Sequence, residues 1–176
     1  YPSSWPTNIS GETAHSSMAN EITALVQAAI GQDFVGVHGE FGENGQCITY
    51  LKKNAVQSGV NGRAYAATLI EVQAIARLAK AAGKTYGVGA IMVIHGECDA
   101  DNSNYERDLH QLWSDYATDI PLITGQTQKI QMIVSQHNSM VDRAASTFAQ
   151  WKVGVDYPSD SVCRGPKYQY QIGRAT

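Results

Sequence analysis

Tyr86-Gly-Val-Gly-Ala-Ile-Met-Val-Ile-His95 runs directly into Gly96-Glu-Cys-Asp-Ala-Asp101, and this stretch decides the fold. Val88 and Ala90 to Ile94 make a near-continuous apolar run, the pattern of a strand covered on both faces in a parallel sheet. The run ends on one imidazole and three carboxylates: His95, Glu97, Asp99 and Asp101. In open α/β sheets ligands bind beyond the carboxyl ends of the strands, where such a loop would sit.

Upstream, Asn61 to Ala82 has helical spacing, with Ala67, Ile70, Ala74, Leu78 and Ala81 on one face and Gly83 as its stop. Ile48 to Lys53 suits a short helical turn. Asp33 to His38 reads as a short buried strand that feeds the glycine-rich loop Gly39 to Cys47. A helix over Ser16 to Ile30 fits Met18, Ile22, Leu25 and Ala29, with Ser16 or Ser17 as its cap and Gly31 as its end. Downstream, Ser103-Asn-Tyr-Glu106 is a capping-box pattern opening a helix to about Thr118, with Tyr105, Leu109, Leu112 and Tyr116 on one side. Pro121 to Gly125 suits a third strand and Met140 to Trp151 a further helix, while Val153 to Thr176 has no clear period. Strands alternating with helices specify an α/β fold with a parallel sheet, and nothing divides residues 1–176 into separate domains.

Composition narrows the function. The 176 residues carry 13 Lys and Arg against 16 Asp and Glu, a net charge of −3 that argues against a nucleic-acid partner. No apolar run reaches the roughly 18 residues that a bilayer span needs. The few charges and many small polar residues suit a secreted protein, and Tyr1 suits a processed or truncated start. Three cysteines, Cys47, Cys98 and Cys163, allow one bridge and one odd thiol.

Two loops carry candidate chemistry. Gly39 to Gly45 holds three glycines, which let backbone N–H groups approach developing negative charge. Its spacing matches neither a phosphate loop nor a dinucleotide fingerprint. In the loop after His95, a carboxylate can orient a histidine and an imidazole can donate to an oxyanion. His38, Cys47, His95, Cys98 and Asp99 are ligand types that zinc accepts, but they form no paired motif, so no metal and no cofactor is expected.

His95-Gly96-Glu97-Cys98-Asp99-Ala100 resembles the third conserved block of the carbohydrate acetylesterases of the SGNH-hydrolase superfamily (the sialate and acetylxylan esterase branch), roughly His-Gln-Gly-Glu-Ser-Asp-Ala. Gly42-Glu-Asn44-Gly45-Gln-Cys47-Ile48 resembles the second block, roughly Gly-Gly-Thr-Ser-Ile, and the likeness spans about residues 11 to 130. The resemblance implies a three-layer, flavodoxin-like αβα fold and serine-type hydrolysis of acetyl or other small acyl esters of carbohydrates or small molecules. It implies oxyanion and substrate binding by Gly42, Asn44, Gly45 and His95, with His95 where the family has Gln. It assigns the block's acids to Glu97 and Asp99, with Glu97 orienting the catalytic histidine. Cys47 and Cys98 stand where the family tends to have Ser, and the convergence of both loops on one site implies a Cys47–Cys98 bridge.

The family's Gly-Asp-Ser turn and Asp-x-x-His block have no counterpart in this sequence. The expectation is therefore the middle of a longer esterase, with nucleophile and base outside this stretch. The rival from another class is a non-catalytic carbohydrate-binding relative, stacking sugars on Tyr50, Trp113 or Tyr105. A metal hydrolase using His38, His95 and Asp99 is the third reading.

Overall fold

The computed structural model describes residues 14–41, 45–57, 60–61, 63–136 and 144–165. The chain divides into two compact units, Tyr1–Glu40 and Phe41–Thr176. In the first, helix α1 (Ala14–Ile30) ends at Gly31, whose left-handed φ of 61° lets its N–H return to the Gln27 carbonyl at 2.9 Å. The helix starts before Ser16 and Ser17, so neither is its cap. Asp33 to His38, expected as a buried strand, is not one. It pairs with no strand among the described residues, and Val35 is 79 % exposed. Apolar content alone makes no strand, because the backbone N–H and C=O groups also need a ladder partner.

The second unit is α/β. Its elements run α2 (Ile48–Leu51), β1 (Val56–Gln57), β2 (Val60–Asn61), α3 (Arg63–Ala81), β3 (Ala90–Val93), α4 (Tyr105–Thr124), β4 (Gln131–Ser135), α5 (Ala145–Asp156) and β5 (Ser161–Arg164). β1 and β2 form a small antiparallel pair, and β3-β4-β5 form a parallel sheet in that order. The order advances in one direction, so right-handed crossovers set α4 and α5 on the same face. There Tyr105, Leu109, Ala149 and Val153 pack on Val93, Met132 and Val134. On the other face Met92 and Val162 are exposed, so β3 is not covered on both sides as its composition suggested.

α3 packs on α4 through Tyr65, Val72, Leu112, Tyr116 and Ile120. The Tyr65 and Tyr116 rings stack at 4.4 Å, and the Tyr116 hydroxyl donates to Thr68 Oγ1 at 3.1 Å. The face anticipated for this helix is turned outward instead, with Ile70 and Leu78 exposed. Alanines on every side of α3 leave its apolar stripe poorly defined, and the two tyrosines supply the larger burial.

α4 does not stop near Thr118 but continues through Pro121 to Thr124, so the strand expected over 121–125 is helical. Pro121 falls in the last turn, and Gly125, at φ 72°, caps the helix by donating to the Pro121 carbonyl. Ser103 is not the cap of α4. Asn104 holds that position, with its N–H on Asn102 Oδ1 at 2.9 Å. β4 and β5 were not anticipated. The helix expected over 140–151 runs instead from Ala145 to Asp156.

Asp160 fastens the start of β5 to α4. Its carboxylate accepts from Lys129 at 2.5 Å, His110 at 3.0 Å and Ser159 at 2.8 Å. The His110 ring stacks on Tyr157 at 3.7 Å. Burial alone would push the Asp160 carboxyl up, but the Lys129, His110 and Ser159 hydrogen bonds outweigh it and hold it down at about 2. A carboxyl depressed in the folded state contributes stability above its ordinary value and loses that contribution as pH falls towards 2. Asp160→Asn should therefore cost about 1–3 kcal/mol at neutral pH. Urea midpoints of wild type and variant should converge as pH drops from about 4 to about 2; a constant gap across that window would remove the assignment.

Candidate functional site

The site is built where β3 ends. Ile94 and His95 leave the sheet, and Gly96, at φ 134°, turns the chain into a backbone conformation that side chains rarely allow. α5 holds this turn from behind. The Gln150 side chain donates to the His95 carbonyl, and Ser146 Oγ donates to the Gly96 carbonyl at 2.8 Å. Both residues are fully buried, one helical turn apart on α5.

Three links then tie the segment Gln46–Ile48 to the loop after β3. Cys47 and Cys98 form a disulfide, with Cα atoms 4.9 Å apart. His95 Nε2 donates to the Gln46 carbonyl at 2.7 Å. The Ile48 N–H donates to Asp99 Oδ2 at 2.7 Å. Asp99 is buried, and Asn102 Nδ2 donates to its other oxygen at 2.8 Å. Each carboxylate oxygen thus has a partner, as a buried charge requires. Asp99 braces two loops against one another and has no oxygen turned towards a ligand unpaired.

His95 is similarly committed. Its Nδ1 meets the Tyr105 hydroxyl at 2.8 Å, so both ring nitrogens are hydrogen-bonded. Glu97 differs. It is exposed, and among the described residues nothing pairs with its carboxylate. Gly45 adopts φ 70°, has open space where a Cβ would lie, and has an N–H with no acceptor among the described residues. Gly42 and Asn44 lie outside the described residues.

Chemically, the described residues hold a backbone N–H on a glycine, an imidazole whose N–H rests on the Gln46 carbonyl, and an exposed carboxylate. Among the described residues no cluster of His, Cys, Asp and Glu suits a metal ion, and Cys47 and Cys98 are joined to each other rather than free as thiolates. The sugar-stacking aromatics need correction. Tyr105 is 0 % exposed, and Trp113 is partly buried with its indole N–H on the Ile130 carbonyl at 2.9 Å. Of the three, Tyr50 alone is exposed.

Gln46, Asn102, Ser146 and Gln150 shape the site, and the sequence pattern did not single them out for it; Tyr105, which also shapes it, stood out only as a sugar-stacking ring. One cue was present for Tyr105: it is the first apolar residue of a helix that follows the His95 loop closely. Compared with known protein families, with curated proteins and with solved structures, the chain matches none.

The disulfide closes a long loop, with a sequence separation of 51. In the chain-entropy account a bridge of that span stabilises by about 4 kcal/mol. Cys98→Ser should lower the unfolding free energy by up to that amount in urea titrations. Alkylation of the unreduced, denatured chain should modify Cys163 alone, whereas reduction should expose three thiols. Modification of Cys47 or Cys98 without reductant would exclude the bridge.

Proposed function

We propose that this chain carries the acyl-binding part of a serine-type ester hydrolase. Its substrate would be an acetyl or other small acyl ester of a carbohydrate or small molecule, and the domain would be of the three-layer SGNH type. The observation that carries the reading is the clamp that holds Gly45–Ile48 against His95–Asp99 at the carboxyl end of a parallel strand. Three further features support it: the uncovered sheet face at Met92 and Val162, which suits a third layer, the Gly45 N–H, which has no acceptor among the described residues, and the exposed Glu97. The Cys47–Cys98 bridge suits an oxidising, extracellular setting.

In this reading a serine attacks the acyl carbon and negative charge develops on the carbonyl oxygen. The Gly45 N–H and His95 Nε2–H stabilise that charge, Glu97 orients the catalytic histidine, and Asp99 keeps the two loops in register. Acyl transfer of this kind uses the protein's own groups, without a cofactor. The resemblance's serine turn and Asp-x-x-His block have no counterpart here, so in this reading the nucleophile and its base come from outside this stretch.

His95 donates to the Gln46 carbonyl when no charge has developed. A neutral ester carbonyl competes poorly for that proton, whereas an oxyanion accepts about twice as strongly. The donor is then gained mainly in the transition state, where binding raises kcat.

The test uses the full-length native polypeptide with acetylated sugars and p-nitrophenyl acetate, and a fluorophosphonate to label the serine. His95→Ala should lower kcat by roughly 10²-fold, and Glu97→Gln should lower kcat with KM little changed. Sugar binding without hydrolysis or serine labelling would favour the carbohydrate-binding relative instead.

A further inference from the structure

The Tyr105 hydroxyl belongs to a fully buried residue at the site, and the chemistry above gives it no task. Tyr105 is the first residue of α4 and its side chain is fully buried. A phenylalanine would fill the same space against Leu109 and Val93. The hydroxyl makes a specific contact, 2.8 Å from His95 Nδ1, and the two rings lie nearly parallel. On the other side of the imidazole, Nε2 lies 2.7 Å from the Gln46 carbonyl.

These partners fix where the protons are. A carbonyl only accepts, so Nε2 carries a hydrogen. Neutral imidazole has one N–H, which leaves Nδ1 as an acceptor for the phenolic O–H. Burial pushes the Tyr105 phenol well up, and the Gln150 side chain, which bonds to it, is also tied to the His95 carbonyl. Asp99 Oδ2 lies 3.9 Å from Nε2 and is held by Ile48.

We infer that Tyr105 is a positioning residue: its O–H donates to His95 Nδ1 and holds the imidazole in the tautomer that carries its proton at Nε2, facing the Gln46 carbonyl. The inference rests on the ester-hydrolase reading for its consequence, since the Nε2 proton is the one offered to the oxyanion. The alternative tautomer would put a lone pair there and repel the developing charge. Loss of a tautomer-setting partner costs far more rate than its distance from the reacting atoms suggests.

The deciding experiment is a long-range proton–nitrogen correlation spectrum of ¹⁵N-histidine-labelled protein, with His95 assigned by comparison with His95→Asn. Wild type should show protonated Nε2 and unprotonated Nδ1 at His95. Tyr105→Phe should keep its circular dichroism spectrum and show a mixed tautomer signature. In the full-length enzyme the same variant should lose roughly 10- to 100-fold in kcat, with KM within about twofold. A proton on Nδ1 in the wild type overturns the inference, as does a Tyr105→Phe spectrum and kcat equal to wild type. Absence of ester hydrolysis in the wild-type full-length protein would sink the functional reading alone, and the spectrum would still decide the role of Tyr105.

Discussion

The buried carboxylate of Asp99 is the constraint on which the site depends. An ionised group out of water must be hydrogen-bonded, and Asp99 finds its donors in two different loops: the Ile48 N–H and the Asn102 amide. That requirement links a backbone atom to a side chain 51 positions later. The Cys47–Cys98 bridge and the His95–Gln46 hydrogen bond then fall within the same few residues. The disulfide restricts the unfolded chain, whereas the two hydrogen bonds fix orientation in the folded one. Deleting Asp99 would therefore release more than its own contacts, because Ile48, the most buried residue of the short helix α2, enters the core beside it.

The sheet explains why this clamp lies where it does. With β3-β4-β5 advancing in one direction, α4 and α5 lie side by side behind the sheet, and each brings a buried polar side chain to the end of β3. Tyr105 comes from the first turn of α4, and Ser146 and Gln150 from α5. Ser146 and Gln150 satisfy the Gly96 and His95 carbonyls, which leave the strand too early to join a ladder, and Tyr105 meets the His95 ring. The polar residues on these two helices thus let a loop of strained backbone sit against an apolar core.

Much of this was legible in the sequence. A strand before His95, the polar loop after it and the α4 face of Tyr105, Leu109, Leu112 and Tyr116 follow from apolar spacing, although the strand is confined to Ala90–Val93. What was not legible depended on partners distant in sequence. The apolar residues of 33–38 read as a strand but meet no ladder, and α3 presents Tyr65 and Val72 to its neighbour where spacing favoured Ile70 and Leu78. Pro121 reads as a helix breaker, yet in a last turn it forfeits little, because the following Gly125 closes the helix. Among the site residues, His95 and Glu97 stood out by type. Asp99 looked like a catalytic acid because its burial, which makes it a brace, is not written in its neighbours.

The satisfied state of the site bears on how it would work. An oxyanion donor left bare in a half-buried pocket destabilises the folded protein by the desolvation of that donor. Here the Gln46 carbonyl occupies the imidazole proton, so the arrangement is stable with nothing bound. The carbonyl is neutral and precedes two anchored residues, Cys47 in the disulfide and Ile48 on Asp99, which limit how far it can follow the proton. In the proposed reaction, exchange of a weak, fixed acceptor for a charged one would favour the charged state over the neutral ester that precedes it. Glu97 completes the asymmetry: of the two acids in the motif, the buried one is occupied with holding the loops and the exposed one has no partner among the described residues. A division of that kind, with one carboxylate holding the architecture and one left exposed, follows from burial rather than from residue type.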